Sequence, residues 1–311
     1  MQYRRLGSAG MKVSAISLGA WITYGGSVED QTATQCIRTA IENGVNFIDV
    51  ADAYAKGQAE VVVGKAIKDF KRSDLVLSSK LYWPQSDNIN DRGLSRKHIM
   101  ESIDKTLKRF DTDYLDIYFC HRFDAETPVE ETVRAMDDLV HQGKVLYWGT
   151  SVWSAPQIQD AADTARKFNC YLPQVEQPRY NMFDRHIESE NIMATCAKNG
   201  LGIVCWSPLA QGLLTGKYNN GIPEGSRAAS NQNLKNDLSD AKLAQIKSLA
   251  KLASDNGLTV GQLALAWILR RPEMSSAIIG ASKPEQVIEN VKAADVTLSA
   301  EVQAKIEEIL K

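Results

Sequence analysis

The sequence predicts a closed (β/α)8 barrel of the TIM type, with residues 1–311 as a single domain. Three observations predict it. Eight short runs rich in Val, Ile and Leu alternate along the chain with stretches of helical period. Successive positions of these runs are apolar, as strands buried on both faces of a parallel sheet require. No linker, composition break or repeat beyond the β-α unit divides the 311 residues, and a chain of this length suits a closed barrel better than an open doubly wound sheet.

In chain order, the opening reads as a hairpin: Tyr3 to Leu6, a turn over Gly7 to Gly10, then Lys12 and Val13. The eight runs are "VSAISLGA" (13–20), "VNFIDVA" (45–51), "LVLSSK" (75–80), "YLDIYFCH" (114–121), "KVLYWGTS" (144–151), "YLPQVEQ" (171–177), "GIVCWSP" (202–208) and "SSAIIGAS" (275–282). Between the first two, Ala33, Cys36, Ile37, Ala40 and Ile41 form one helical stripe. Ile99, Ile103, Leu107 and Phe110 form another, and both are read as core packing. "TPVE" predicts a helix start with Thr127 as N-cap, Pro128 at the first helical position and Glu130 three residues after the cap. That helix carries Val129, Val133, Met136, Leu139 and Val140. Two long connections interrupt the rhythm, 83–93 after the third run and 209–237 after the seventh, and long loops in compact domains are commonly functional.

Composition excludes several function classes. A formal net charge of −2 provides no field to recruit nucleic acid or an anionic membrane surface. No apolar run approaches the length of a membrane span, and no signal peptide is visible. Cys36, Cys120, Cys170, Cys196 and Cys205 have no CxxC spacing and read as reduced, packed thiols, which points to the cytoplasm. His98, His121, His141 and His186 stand in no ligand spacing, so no metal is expected.

Barrel chemistry sits at the C-terminal ends of the strands. Those ends carry Asp49 with Tyr54 just beyond it, Lys80, His121, Ser151, Gln177 and Trp206-Ser207-Pro208. A carboxylate ending an apolar run needs a partner, and Lys80 is the natural one. Such a lysine is expected to lower the pKa of Tyr54, making it a general acid, with His121 donating to a substrate oxygen or relaying a proton. Singly, each residue has a plainer reading as a cap, ion-pair partner or packing group. Their fall on the ends of consecutive strands favours the catalytic reading.

"NFIDVADAY", "LSSK" and "YFCH" resemble the catalytic tetrad motifs of the aldo-keto reductases, and the likeness extends over essentially the whole chain. "GLSRKHI" (93–99), "TPVEETVRAM" (127–136), "YWGTS" (147–151), "WSPLAQGLLTGKY" (206–218) and "GASKPEQVIEN" (280–290) further resemble the voltage-gated potassium channel beta-subunit branch. The resemblance implies NADPH-dependent reduction of aldehydes or ketones, with Asp49, Tyr54, Lys80 and His121 catalytic and Tyr54 the proton donor. It implies that Ser151 and Gln177 hold the nicotinamide carboxamide. Trp206, Ser207, Pro208, Leu209, Gly212, Lys217, Ser226 and Arg227 would contact the pyrophosphate and ribose, and Gly280, Ser282, Gln286, Glu289 and Asn290 the adenosine end. Trp21 and Trp83 would line the substrate pocket, Trp21 also touching the cofactor; the aromatic character of Trp21, Tyr24, Trp83 and Trp153 suits hydrophobic carbonyls.

The residues around 282 agree with an anionic guest. "SKPE" reads as a capping box with Ser282 as N-cap and Glu285 three residues on, and Lys283 adds a cation for the 2′-phosphate of NADPH or NADP+. There are departures from the branch. This chain keeps His121 where animal channel subunits commonly have asparagine, and it carries Val152 and Ser27 where the branch often has arginine and glutamine.

The rival reading is a cofactor-sensing regulatory subunit that docks on a channel's cytoplasmic domain; the resemblance leaves a homo-oligomer open, since relatives in that branch are often tetramers and others are monomers. The chain begins almost at the hairpin, which argues against pore block and leaves docking open. A phosphate-binding isomerase would not need the tyrosine-lysine pair, and no GxGxxG follows the first run.

Overall fold

The computed structural model describes every residue except Ile22, and the side chains of Thr23, Ser27 and Ser230 also lie outside the described set, so the departure at Ser27 has no structural counterpart. The hairpin pairs β1 (Tyr3–Arg5) with β2 (Lys12–Ser14), Tyr3 standing opposite Ser14. Eight parallel strands follow: β3 (Ile16–Gly19), β4 (Phe47–Asp49), β5 (Val76–Leu81), β6 (Leu115–Cys120), β7 (Val145–Thr150), β8 (Val175–Glu176), β9 (Gly202–Trp206) and β10 (Met274–Ile279). They pair in chain order, and β10 closes on β3 through Ala277 opposite Ile16. Each predicted run overlaps one barrel strand; β5 extends one residue past its run, β10 begins one residue before its run, and the other strands lie within theirs.

The helical stripes face the strands as expected. Ala33, Cys36, Ile37 and Ala40 are buried on the helix Asp30–Glu42, and Ile99, Ile103, Leu107 and Phe110 on Arg96–Phe110. One cap differs from the sequence reading. The helix predicted from "TPVE" spans Val129–His141 with Pro128 at its N-cap. Thr127 is one residue too early because its hydroxyl donates to Asp124 (2.8 Å), which also accepts from Leu94 N (2.8 Å). The long connection after β9 winds through Ala210–Thr215 and the short helices Arg227–Ser230 and Gln232–Asn236, anchored by buried Leu213, Tyr218, Ala228 and Leu234.

Inside the barrel, Phe47, Val76, Ile117, Phe119, Val175, Val204 and Ile278 pack together, and Leu6, Ala9 and Val13 of the hairpin close this core from below. Each such buried side chain contributes about 1.5–3 kcal/mol relative to exposure. The hairpin can approach because residue 7 is glycine: a Cβ there would lie 2.3 Å from Gly200 O and Gly202 N, at a φ of +57°. Alternation along β5 then sets up the site. Val76, Ser78 and Lys80 point to the barrel axis, while Leu77, Ser79 and Leu81 face the helices.

Candidate active site

Asp49 ends β4, Lys80 lies next to the end of β5, His121 follows β6, and Tyr54 opens a tight turn five residues beyond Asp49. The structure brings these four together. Lys80 is fully buried, and its ammonium donates to Asp49 Oδ2 (2.6 Å), to Val50 O (2.6 Å) and to the Tyr54 hydroxyl (3.4 Å). Three donors thus have three acceptors, the condition for tolerating a buried cation. The other Asp49 oxygen accepts from Ser78 Oγ (2.7 Å) and from Gln177 Nε2 (3.0 Å).

One expectation reverses. Lys80 does not bring Tyr54 below its ordinary pKa: burial raises it well above, and the Asp49 carboxylate adds to the rise while Arg122 opposes it. Burial also pulls Lys80 below its usual value against the pull of Asp49. The consequence favours acid chemistry, since Tyr54 keeps its proton at ordinary pH. Burial, with the cations of Lys80 and Arg122, holds His121 well below its usual value, so its ring is neutral. His121 Nδ1 has no partner among the described residues, and its ring meets the edge of Tyr54 at 5.9 Å and of Trp83 at 6.2 Å.

Around this centre the remaining predicted residues divide. Trp21 and Trp83, each 40% exposed, stand at the mouth, Trp21 edge-on to Trp206 at 5.6 Å. Tyr24 and Trp153 are buried in the packing below and present no open surface, Trp153 lying edge-on to Phe123 at 4.9 Å. Ser151 Oγ donates to Gln177 O (2.9 Å), and Gln177 in turn reaches Asp49, so both border the tetrad.

After β9 the backbone is left-handed at Ser207, Ala210, Gln211 and Gly212, on either side of Pro208 and Leu209. The run closes on itself, Ala210 N donating to Ser207 O (3.0 Å) and Gly212 N to Leu209 O (2.9 Å). A Cβ on Gly212 would lie 2.8 Å from Lys217 Nζ, so glycine is what lets this cation fold back over the turn. Ser226 Oγ is buried with no partner among the described residues, and Arg227 follows it at the start of its short helix. Beyond β10, Gly280 is exposed with open space where a side chain would be, and Asn290 is buried. The cap read at Ser282 is displaced by one residue. Lys283 flanks the helix Pro284–Val291, and Gln286 rather than Glu285 closes the turn, its Oε1 accepting from Ser282 N (2.9 Å) and Oγ (3.3 Å). Glu289 offers its carbonyl to Gln262 Nε2 (3.0 Å).

Three residues escaped the sequence reading. Glu176 is wholly buried and accepts from Thr150 Oγ1 (2.5 Å) and Trp153 N (3.3 Å); burial pushes its carboxyl up to about 7, against those hydrogen bonds. Asp52, in the same "DVADAY" as the tetrad acid, is buried with Ser102 Oγ at 3.2 Å, and burial followed by nearby Glu60 pushes it up to about 8. Arg122 directly follows His121 and lies over Trp83. The available signal was the doubling of charge: an acid beside Gln177, a second acid between Asp49 and Tyr54, a cation beside the strand-end histidine.

A shallow cavity of about 760 Å³ lies at the opposite end of the barrel, between Arg4, Gly7, Gly200 and Glu273. Of the arginines lining it, Arg4 donates to the carbonyls of Leu269 (2.8 Å) and Met274 (3.0 Å) and Arg270 to that of Trp267 (2.6 Å).

Comparison with known proteins agrees with this geometry. The Aldo/keto reductase family model matches residues 15–311. A probable voltage-gated potassium channel subunit beta of Arabidopsis thaliana is 46% identical over 319 aligned positions, covering 100% of this chain and 97% of the relative. A protein of the same description from Oryza sativa subsp. japonica gives the same figures, and a putative voltage-gated potassium channel subunit beta of Schizosaccharomyces pombe is 43% identical, covering 99% of this chain and 93% of the relative. On a family match spanning nearly its whole length and a closed eight-stranded barrel, this chain belongs to the aldo/keto reductase family.

Proposed function

We propose that this protein reduces aldehydes and ketones to alcohols with NADPH, Tyr54 protonating the carbonyl oxygen. The observation that carries the reading is the Lys80 ammonium, whose three acceptors are Asp49, Val50 O and the Tyr54 hydroxyl. Asp49 fixes the lysine, and the lysine fixes the phenol. Tyr54, kept protonated by burial, gives its proton to the oxygen as negative charge develops there. Lys80 then lies beside the phenolate left behind and stabilises it, which compensates the cost of ionising a buried phenol only at that moment. Neutral His121 donates a second hydrogen bond to the same oxygen and orients the carbonyl.

The rim fits a nicotinamide dinucleotide on two observations: the unpartnered buried Ser226 hydroxyl, and the left-handed turn over which Lys217 folds across Gly212. Ser151 and Gln177 would hold the nicotinamide, Ser207, Leu209, Lys217 and Arg227 the pyrophosphate, and Lys283 the 2′-phosphate that favours NADPH over NADH. When bound, the nicotinamide supplies the hydride. The five free cysteines suit a reducing, cytoplasmic setting.

The test is NADPH consumption with an aromatic aldehyde by wild type and Tyr54→Phe, with NADH as the control. Turnover that prefers NADPH and falls about 10²- to 10⁴-fold in the variant is expected. Equal turnover by both proteins would remove Tyr54 from the chemistry.

The names of the relatives favour a second reading, in which the protein, as a homo-oligomer, docks on a potassium channel's cytoplasmic domain and signals cofactor state. Co-purification with a channel tetramerisation domain tests it. Bound NADPH together with no turnover across a broad carbonyl panel would make it the better account.

A further inference from the structure

Arg122 is a charged group at the mouth that supplies neither the proton nor a proposed cofactor contact, and its surroundings give it an available donor edge. It follows His121 above β6, and its guanidinium lies over the Trp83 ring at 5.6 Å. One Nη1 donates to His121 O. Its Nε and Nη2 have no hydrogen-bond partner, and no carboxylate forms an ion pair with it, among the described residues. That leaves the side of the guanidinium whose two parallel N–H groups match a carboxylate's two oxygens. The position is within the site: the charge of Arg122 acts on Tyr54, Lys80 and His121 alike. Glu176, the acid nearest in effect, is sealed in the barrel wall and already accepts from Thr150 and Trp153. Arg122 is half-buried, so an anion meeting it is partly shielded from water and held more strongly than on an open surface.

We propose that Arg122 is a specificity-determining residue that binds a carboxylate on the substrate, so that the preferred substrates are aldehydes or ketones bearing a carboxylate, with the reducible carbonyl held between Tyr54 and His121. Trp83 on one side of Arg122 and Trp21 across the mouth leave an aromatic-walled entrance for the apolar part between the two polar ends. A neutral carbonyl compound would still be reduced, because the proton comes from Tyr54 and not from Arg122. The proposal rests on the reductase reading given above and names its substrate class.

The experiment compares 4-carboxybenzaldehyde with its neutral methyl ester, using NADPH, for wild type, Arg122→Met and Arg122→Lys. Methionine keeps much of the apolar stem over Trp83, and lysine keeps the charge without the planar fork. In Arg122→Met, kcat/KM for the carboxylate substrate is expected to fall by more than that for the ester, through the loss of a charge-assisted pair. The ester carries whatever the charge of Arg122 contributes through Tyr54 and His121, so the readout is the carboxylate-to-ester ratio, which should fall about ten- to hundredfold in Arg122→Met and by less in Arg122→Lys. Raising the salt concentration should weaken the wild type's preference for the carboxylate and leave the methionine variant's ratio unchanged. Equal losses on both substrates would show that Arg122 acts only through Tyr54 and His121, and no loss on either would show that it binds nothing; each overturns the proposal. Should wild type turn over neither aldehyde, the reductase reading falls separately, and calorimetric titration with 4-carboxybenzaldehyde then decides the anion site. Binding weakened in Arg122→Met supports it, and equal or absent binding in the two proteins rejects it.

Discussion

At the scale of single residues, the site is a set of buried charges whose costs differ in sign with pH. Asp49 and Lys80 satisfy one another and were legible in the sequence, because a charge closing an apolar run demands a partner and the next strand end supplied it. Asp52 was not legible, since its neighbours Ser102 and Glu60 come from helices whose packing no local pattern gives. Its carboxyl binds a proton more tightly folded, at about 8, than at the ordinary value of 3.8. Between those values the native state holds more protons than the unfolded chain, so Asp52's relative stabilisation is present at low pH and is lost as pH rises toward 8, at up to ~1.4 kcal/mol per unit. Glu176, pushed from 4.5 to about 7, acts in the same direction. The buried histidines His98 and His121 act the opposite way below their ordinary value of 6.5, so the window to examine lies above it. Asp52→Asn keeps an acceptor for Ser102 and never ionises. The melting temperature of wild type should decline more steeply from pH 6.5 to 8.5 than that of Asp52→Asn, by thermal unfolding in parallel buffers. Parallel curves would mean that Asp52 is ionised at little cost.

At the scale of elements, the strand ends are precise because their turns are held from behind. Val152 lies at a φ of +57°, a left-handed conformation that a β-branched side chain tolerates poorly. The turn is held on both sides: Thr150 Oγ1 and Trp153 N donate to the Glu176 carboxylate, and Val152 N itself donates to Gln177 O (3.3 Å). The turn therefore presents Ser151 to the rim at the expense of backbone strain, as functional turns commonly do. Val152 is 39% exposed, so its side chain contributes little packing, and asparagine accepts the left-handed conformation far better. Val152→Asn should stabilise the protein by about 0.5–1 kcal/mol, raising the melting temperature by about 1–3 °C. A fall in melting temperature would show that the valine packs more than its exposure suggests. Element boundaries were also where the sequence reading slipped. Hydrophobic period located every strand and the helical stripes, whereas Thr127 and Ser282 each missed the cap by a residue. Thr127 is drawn off by Asp124 and Ser282 by Gln286, contacts made in three dimensions between residues that sequence spacing alone treats as equivalent.

At the scale of the whole molecule, the barrel separates its two tasks by end. The hairpin meets the strands only where they begin: Ser14 pairs with Asn46 before β4, Ser8 N donates to Gly200 O before β9 (2.8 Å), and Ser275 Oγ donates to Arg5 O at the start of β10 (2.9 Å). Asp49, Lys80 and His121 stand at the opposite ends of β4, β5 and β6, with the inner layer of Phe47, Val76, Ile117 and Phe119 between them and the plug. Interiors packed this closely transmit a local loss of volume as lost stability rather than as a graded shift across the core. Leu6 is fully buried in that plug. Leu6→Ala should therefore destabilise by about 2–5 kcal/mol, the cost of a cavity in a packed core. At 25 °C the same variant should keep its KM for NADPH and its kcat within about twofold, provided its melting temperature remains well above the assay. Thermal unfolding and steady-state kinetics on one preparation measure both. A stability loss with unchanged kinetics is the outcome that separate ends require. A variant that folds fully yet loses cofactor affinity would mean that the plug sets the register of the strands, and with it the distance between Lys80 and Tyr54, so that the two ends of the barrel would have to be treated as one site.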